Sequence, residues 1–309
     1  MYYLLSLLVG SVISVMVFLN GKLTAGYGAY PASVIIHIVG VVFAGTICFA
    51  KKEKMRSHAP LWAYMGGAIG VLTTLFNNYA FGCVSMTSIV ALGLLGQSLS
   101  SVMLDFFGWL GVKKRRLNKY SVIGYLAAVI GILVMLDQTA SGALSAVFLS
   151  LCAGVTVVLS RTINSRLSME TSPIIGSFIN HVVGLPICIV LTLLFQPSFS
   201  IQIAGHSPFI YFGGALGVVT VLLFNITVPR ISAFRLTLLS FVGQIFTGIL
   251  LDFVFGAEFS TSTFTGGGII AAGLLINMIL EQWDNFKKRK EDVSDSLDRK
   301  VLTETNGKA

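Results

Sequence analysis

The chain has 309 residues, of which 55% are apolar and only 11% charged, and its mean hydropathy is +0.85. A soluble domain carries about 25% charged residues, so this composition excludes an ordinary water-soluble protein. The net charge of +8 does not indicate nucleic acid, because the basic residues form short clusters between apolar runs rather than a polar domain.

About 20 apolar residues cross a bilayer core as a helix. In chain order the apolar runs predict helices over 2–19, 32–50, 61–81, 85–111, 119–136, 141–160, 174–195, 208–228, 231–255 and 264–282. No positive charge precedes the first run and no small-x-small cleavage site follows it, so it reads as a retained helix, not a signal peptide. Pro31, Pro60, Pro173, Pro208 and Pro229 fall near predicted edges, as helix punctuation should. Pro186 falls inside a run, which membranes tolerate because neighbouring groups satisfy the freed carbonyl. Cys48, Cys83, Cys152 and Cys188 all lie in apolar runs, with no CxxC pair and no zinc-site spacing, and read as small apolar residues.

Ten helices place the connections alternately on two sides. Counted this way, 20 of the 21 basic residues fall on one side and only Lys22 on the other. The positive-inside rule makes the first side cytoplasmic and puts both termini there. The tail, 283–309, starts with Trp283 and Phe286, continues through Lys287, Lys288, Arg289 and Lys290, and ends polar. It reads as a headgroup-level stop followed by disordered chain.

The two halves of the sequence match. At an offset of 144, Asn20-Gly-Lys-Leu23 meets Asn164-Ser-Arg-Leu167, Ser33 meets Ser177, His37 meets His181 and Gly40 meets Gly184. At 147, Gly66-Gly-Ala-Ile-Gly70 meets Gly213-Gly-Ala-Leu-Gly217, Asn78 meets Asn225, Gly96-Gln97 meets Gly243-Gln244 and Leu104-Asp105 meets Leu251-Asp252. Gly124 and Ala127-Ala128 then meet Gly268 and Ala271-Ala272, again at 144. Chance rarely supplies His, Asn, Gln and Asp in order. The predicted division is therefore a first repeat over 1–138, a second over 139–282 and a cytoplasmic tail over 283–309. Five helices per repeat is odd, so the second repeat enters the membrane inverted. The expected fold class is an all-α polytopic membrane protein of ten transmembrane helices in two inverted five-helix repeats, a common plan for secondary transporters.

The five-plus-five duplication, the short helices and the early Asn-x-x-Leu segment, followed by a proline and a glycine-bearing second helix, resemble the drug/metabolite transporter superfamily. The YdcZ-like branch, with single and fused five-helix halves, is the most similar. The resemblance covers roughly 2–282. It implies transport of small molecules across the bacterial cytoplasmic membrane. Small multidrug exporters of that superfamily carry a glutamate in helix one; residues 2–19 here contain no acid, so drug–proton antiport through such a residue is not carried over.

Polar residues inside membrane helices are costly and are candidates for function. Gln97 and Gln244 are central and repeated, and either contact a polar substrate or bond across helices. His37 and His181 are proton-linked candidates, since histidine titrates near ~6.5, or neutral rings bonding a carbonyl. Asp105 and Asp252 follow the glutamines by two turns as gates or cation or proton sites; the plainer reading is headgroup solvation or pairing with nearby Lys or Arg. Asn78 and Asn225 contact ligand, cap helices or bond between them. Asn20 and Asn164 suit C-terminal caps. The GxGxxA string Gly266–Ala271 has no βαβ context, no GxxxxGK[ST] loop occurs, and HExxH and GxSxG are absent.

The sequence thus predicts a transporter, not an enzyme, without cofactor or metal. Its partners are a small polar or amphipathic metabolite or drug and membrane lipids, with no nucleic acid; the oligomeric state stays open, a monomer being compatible with a fused double. The alternatives are a membrane-embedded lipid-handling protein, flippase-like or enzymatic, and a receptor or scaffold without transport.

Overall fold

The computed structural model describes residues 1–53, 58–80, 83–84, 86–114, 121–136, 143–197, 207–255, 261–262, 264–280 and 283, without the side chains of Asn78, Met86, Thr87, Ser121 and Asp252. The described residues form ten α-helices and no strand: α1 Tyr2–Tyr27, α2 Ala29–Ala50, α3 Gly66–Ala80, α4 Met86–Phe107, α5 Ser121–Met135, α6 Leu144–Glu170, α7 Pro173–Phe195, α8 Phe212–Thr227, α9 Ala233–Phe255 and α10 Phe264–Leu280. Short 3-10 turns, Leu61–Tyr64 and Pro208–Tyr211, precede α3 and α8. Helices α1, α2, α4, α6, α7 and α9, and α8 with its 3-10 turn, are long and apolar enough to cross a membrane; α3, α5 and α10 are shorter apolar helices. Phe49, Leu61 and Phe253 are each more than four-fifths exposed, a surface suited to lipid and not to water.

Two predicted boundaries are corrected. Helices α1 and α6 do not stop at 19 and 160 but continue to Tyr27 and Glu170. Asn20 and Asn164 therefore lie inside helices and are not C-terminal caps. A polar side chain ends a helix when it competes for the backbone; here both face other helices instead, Asn20 opposite Gly213 and Asn164 opposite Gly66. Lys22, inside α1, holds its ammonium over the rings of Phe18 and Phe255, at 4.5 and 4.9 Å. The actual end of α1 is Gly28 at φ 87°, a left-handed position favouring glycine, and α2 starts at the next residue. Ser172 caps α7, accepting from Ile175 N–H at 3.4 Å, and Pro173 holds the first helical position.

Apolar burial provides little drive between helices in lipid, so close backbone approach matters more. Glycines make those approaches in matched pairs. A β-carbon on Gly10 would strike the Ser240 carbonyl, and one on Gly154 the Gly93 carbonyl. One on Gly96 would strike Leu151, and one on Gly243 would strike Leu7. Gly67 lies against Asn180 and Gly214 against Ile36. Each contact maps onto its mate at the 144 or 147 offset. The first two pairs fasten α1 to α9 and α4 to α6, and the third α3 to α7 and α8 to α2, while α1 packs on α8, α3 on α6, and α2 on α7. An apolar core joins α1, α4, α5, α9 and α10 around Val9, Leu94, Ile132, Leu238 and Ile270. Helix α1 also joins the other five, α2, α3, α6, α7 and α8, in a six-helix group around a more polar interior.

Among the described residues, helices that match at the 144 and 147 offsets pack differently at α8 and α3. Helix α8 packs on α6 and α7, whereas α3 makes no comparable packing on α1 and α2. At the end of α8, Asn225 Nδ2 donates to the Pro173 carbonyl at 3.0 Å, closing that end of the six-helix group.

Candidate functional site

A cavity of about 310 Å3 lies among α1, α2, α3, α6, α7 and α8. Its walls repeat the sequence duplication. Met16 and Ser160, Asn20 and Asn164, Ile36 and Asn180, His37 and His181, Gly70 and Gly217, and Thr73 and Thr220 all line it, each pair separated by 144 or 147.

The histidines meet at the centre, with ring centroids 5.6 Å apart. Each sits over a glycine of the other's helix, His181 on Gly40 and His37 on Gly184, where a β-carbon would strike the imidazole. The Nδ1 atoms of both rings are bonded to their own helices, His37 to the Ser33 carbonyl at 2.8 Å and His181 to the Ser177 carbonyl at 2.9 Å. A carbonyl only accepts, so Nδ1 carries the proton, and a neutral ring presents Nε2 as an acceptor. Around them, Asn164 Nδ2 donates to Asn180 Oδ1 at 2.7 Å, and Thr73 and Thr156 share a hydroxyl contact at 2.8 Å. Asn20 Oδ1 is buried and has no partner among the described residues.

The residue that sequence reasoning missed is Arg161. Assigned by length to a cytoplasmic connection, it lies inside α6, is 4% exposed and lines the cavity. Its Nη2 donates to Thr237 Oγ1 at 2.6 Å, Ser101 Oγ at 3.2 Å and the Ala233 carbonyl at 3.2 Å. Its guanidinium covers the Phe224 ring at 5.4 Å. Nε and Nη1 are buried without a hydrogen-bond partner among the described residues. At the 144 offset its mate is Val17, which is exposed, so the repeat comparison gives no signal for it. The usable signal was an arginine directly following a mostly apolar run, a pattern equally open to a helix that ends or one that continues.

The other sequence candidates sit elsewhere. Gln97 and Gln244 follow the crossing glycines of the α4/α6 and α1/α9 contacts and are not among the cavity lining. Gln244 Nε2 donates to the Ser240 carbonyl at 3.4 Å, and the Gln244 main-chain carbonyl accepts from Ser14 Oγ at 2.6 Å. Asp105 is not solvated at headgroup level: it is 4% exposed, and its two oxygens accept from the first N–H groups of α9, Ala233 at 2.9 Å and Phe234 at 3.0 Å. It also supplies negative charge to Arg161. Asn225 is buried at the closed end of α8. The side chains of Asn78 and Asp252, and the tail beyond 283, lie outside the described residues.

A family model described as "Putative inner membrane exporter, YdcZ" matches this chain over residues 1–134 and 145–279. No curated protein matches by sequence. A solved structure titled "Crystal structure of protein" is similar in fold, with a TM-score of 0.70 over 89% of this chain and 96% of that one, at 15% identity.

Proposed function

The chain belongs to the YdcZ family of membrane transporters, and on that premise we propose that it is a secondary transporter that moves a small molecule by alternating access between two inverted halves. Helices α1 to α5 form one half and α6 to α10 the other, with all ten crossing the cytoplasmic membrane. The cavity among α1 to α3 and α6 to α8 is the substrate site. The observation that carries this reading is the agreement between the sequence repeat and the cavity: its walls come in mated pairs from both halves. Equivalent halves can exchange conformations, which gives inward- and outward-facing states of similar energy. The departure from equivalence at α8 and α3 is what one of those states requires, since α8 closes on α6 and α7 while α3 stands away from α1 and α2.

Sidedness follows from charge. With Arg161 removed from the count, every other basic residue except Lys22 still falls on one side of a ten-span chain. That side holds the closed end of α8, so the conformation is outward-facing, with both termini cytoplasmic. The family description names an exporter, and an outward-facing state is where an exporter releases its substrate. ATP has no place in this scheme.

The test is transport in proteoliposomes. Uptake or counterflow of a substrate found by thermal-shift screening should saturate, and Thr220→Trp, which fills the cavity wall, should reduce it at least tenfold without lowering the melting temperature by more than a few degrees. Non-saturable leakage, or a Thr220→Trp variant that transports normally, would rule the reading out.

A further inference from the structure

The geometry points to a small organic monoanion, a carboxylate, as the substrate class, held through Arg161; this rests on the cavity being the transport site. Among the described residues the cavity lining has one permanent charge, and it is positive. A guanidinium inside a membrane protein is expensive to bury and is retained where it pairs or functions. Its donors divide into two groups here. Nη2 is fully used on α4 and α9, and Phe224 covers the face, so the group is fixed in place. Nε and Nη1 together carry three N–H bonds, and neither atom has a protein acceptor among the described residues.

Asp105 does not fill that role. Its carboxylate oxygens accept from the start of α9, where the helix N-terminus offsets negative charge. It acts on Arg161 through its charge but is not part of the cavity lining. A carboxylate bound against Arg161 supplies the acceptors that Nε and Nη1 lack, and such charge-assisted bonds are the stronger kind. No Asp or Glu is among the lining residues, so the ammonium of a zwitterion or an organic cation finds no counter-charge. A dianion would leave one charge uncompensated. Met16, Ile36, Val157 and Val221 line the same cavity and suit an apolar body behind the carboxylate.

The experiment uses purified full-length protein and matched probes: benzoate, butyrate and lactate, each against its primary amide, with benzylamine as a cation of similar size. Binding is read by thermal shift and calorimetry. At least one carboxylate should bind about tenfold to a hundredfold more tightly than its amide, the value of a charge-assisted bond, and more tightly than benzylamine. Arg161→Gln should remove that preference and Arg161→Lys should keep part of it. Should Arg161→Gln fail to fold, Val157→Glu leaves Arg161 in place and puts an acid one turn away on the same wall; it should abolish carboxylate binding. Amides or benzylamine binding as well as the acids, carboxylates binding equally to the Arg161→Gln and Val157→Glu variants, or no carboxylate binding at all would overturn the assignment. The transport reading is judged separately, by saturation and by Thr220→Trp, and survives if a neutral substrate passes that test.

Discussion

Replacing Gly154 with leucine should prevent the protein from reaching a stable folded state. A β-carbon there meets the Gly93 carbonyl and the Gln97 amide of α4. Both are backbone atoms, so no rotamer change relieves the clash. The only response is to push α6 away from α4, and the same helix pair is fastened again at Gly96 against Leu151. Overpacking costs about 1–3 kcal/mol when side chains can yield and more when they cannot. Total stabilities of about 5–15 kcal/mol leave little room for that. Detergent-solubilised Gly154→Leu should elute as aggregate in size-exclusion chromatography, Gly154→Ala should melt well below wild type, and Gly10→Leu, at the mated crossing, should behave like Gly154→Leu. Gly21→Ala and Gly268→Ala are the controls, since nothing lies within 4 Å of a β-carbon at either. A Gly154→Leu protein that is monodisperse with an unchanged melting temperature would show that the crossing is not as tight as described.

Asp105→Ala should be nearly as damaging, for an electrostatic reason. The substitution leaves two buried N–H groups at the start of α9 without acceptors, each costing about 1–3 kcal/mol. It also removes the negative charge felt by Arg161, and a buried charge stripped of its partner costs about 3–5 kcal/mol. These terms overlap, so a total loss of about 3–5 kcal/mol is expected by chemical or thermal unfolding. Asp105→Asn keeps one acceptor and should fall between. If Asp105 were instead a coupling site for a cation or proton, stability would hold while ion dependence of transport changed; a full-stability Asp105→Ala variant would therefore move it from structure to mechanism.

Much of this was visible in the sequence because lipid simplifies the code. Apolar runs located all ten helices, and glycine, histidine and asparagine matches at 144 and 147 anticipated which residues would mirror one another. The glycines proved informative because close packing is the main contact energy between helices in a bilayer, and at these crossings a β-carbon would strike the facing backbone. Gln97 and Gln244 stood out as repeated and central, yet being central along a helix does not fix the face. Each follows a crossing glycine, so its backbone is committed to a helix contact. Asp105 was ambiguous because its partners, the start of α9, are 128 residues away in sequence. Arg161 was lost to an assumption about length: a span of about 20 residues from 141 ends at 160, but α6 is 27 residues long and carries the charge within the bundle. A repeat search favours what is duplicated, and the arginine in the cavity wall has only Val17 as its counterpart.

Sided labelling at the cavity tests the central claim most directly. Thr73→Cys is placed in a protein whose Cys48, Cys83, Cys152 and Cys188 are serine, reconstituted in one orientation and exposed to a membrane-impermeant maleimide from either face. Alternating access predicts modification from both faces in the resting population, and loss of cytoplasmic labelling alone when a cross-link between α7 and α8 locks the closed end at Pro173 and Asn225. Modification from one face only, with or without substrate, or simultaneous access from both faces in the locked protein, would contradict it.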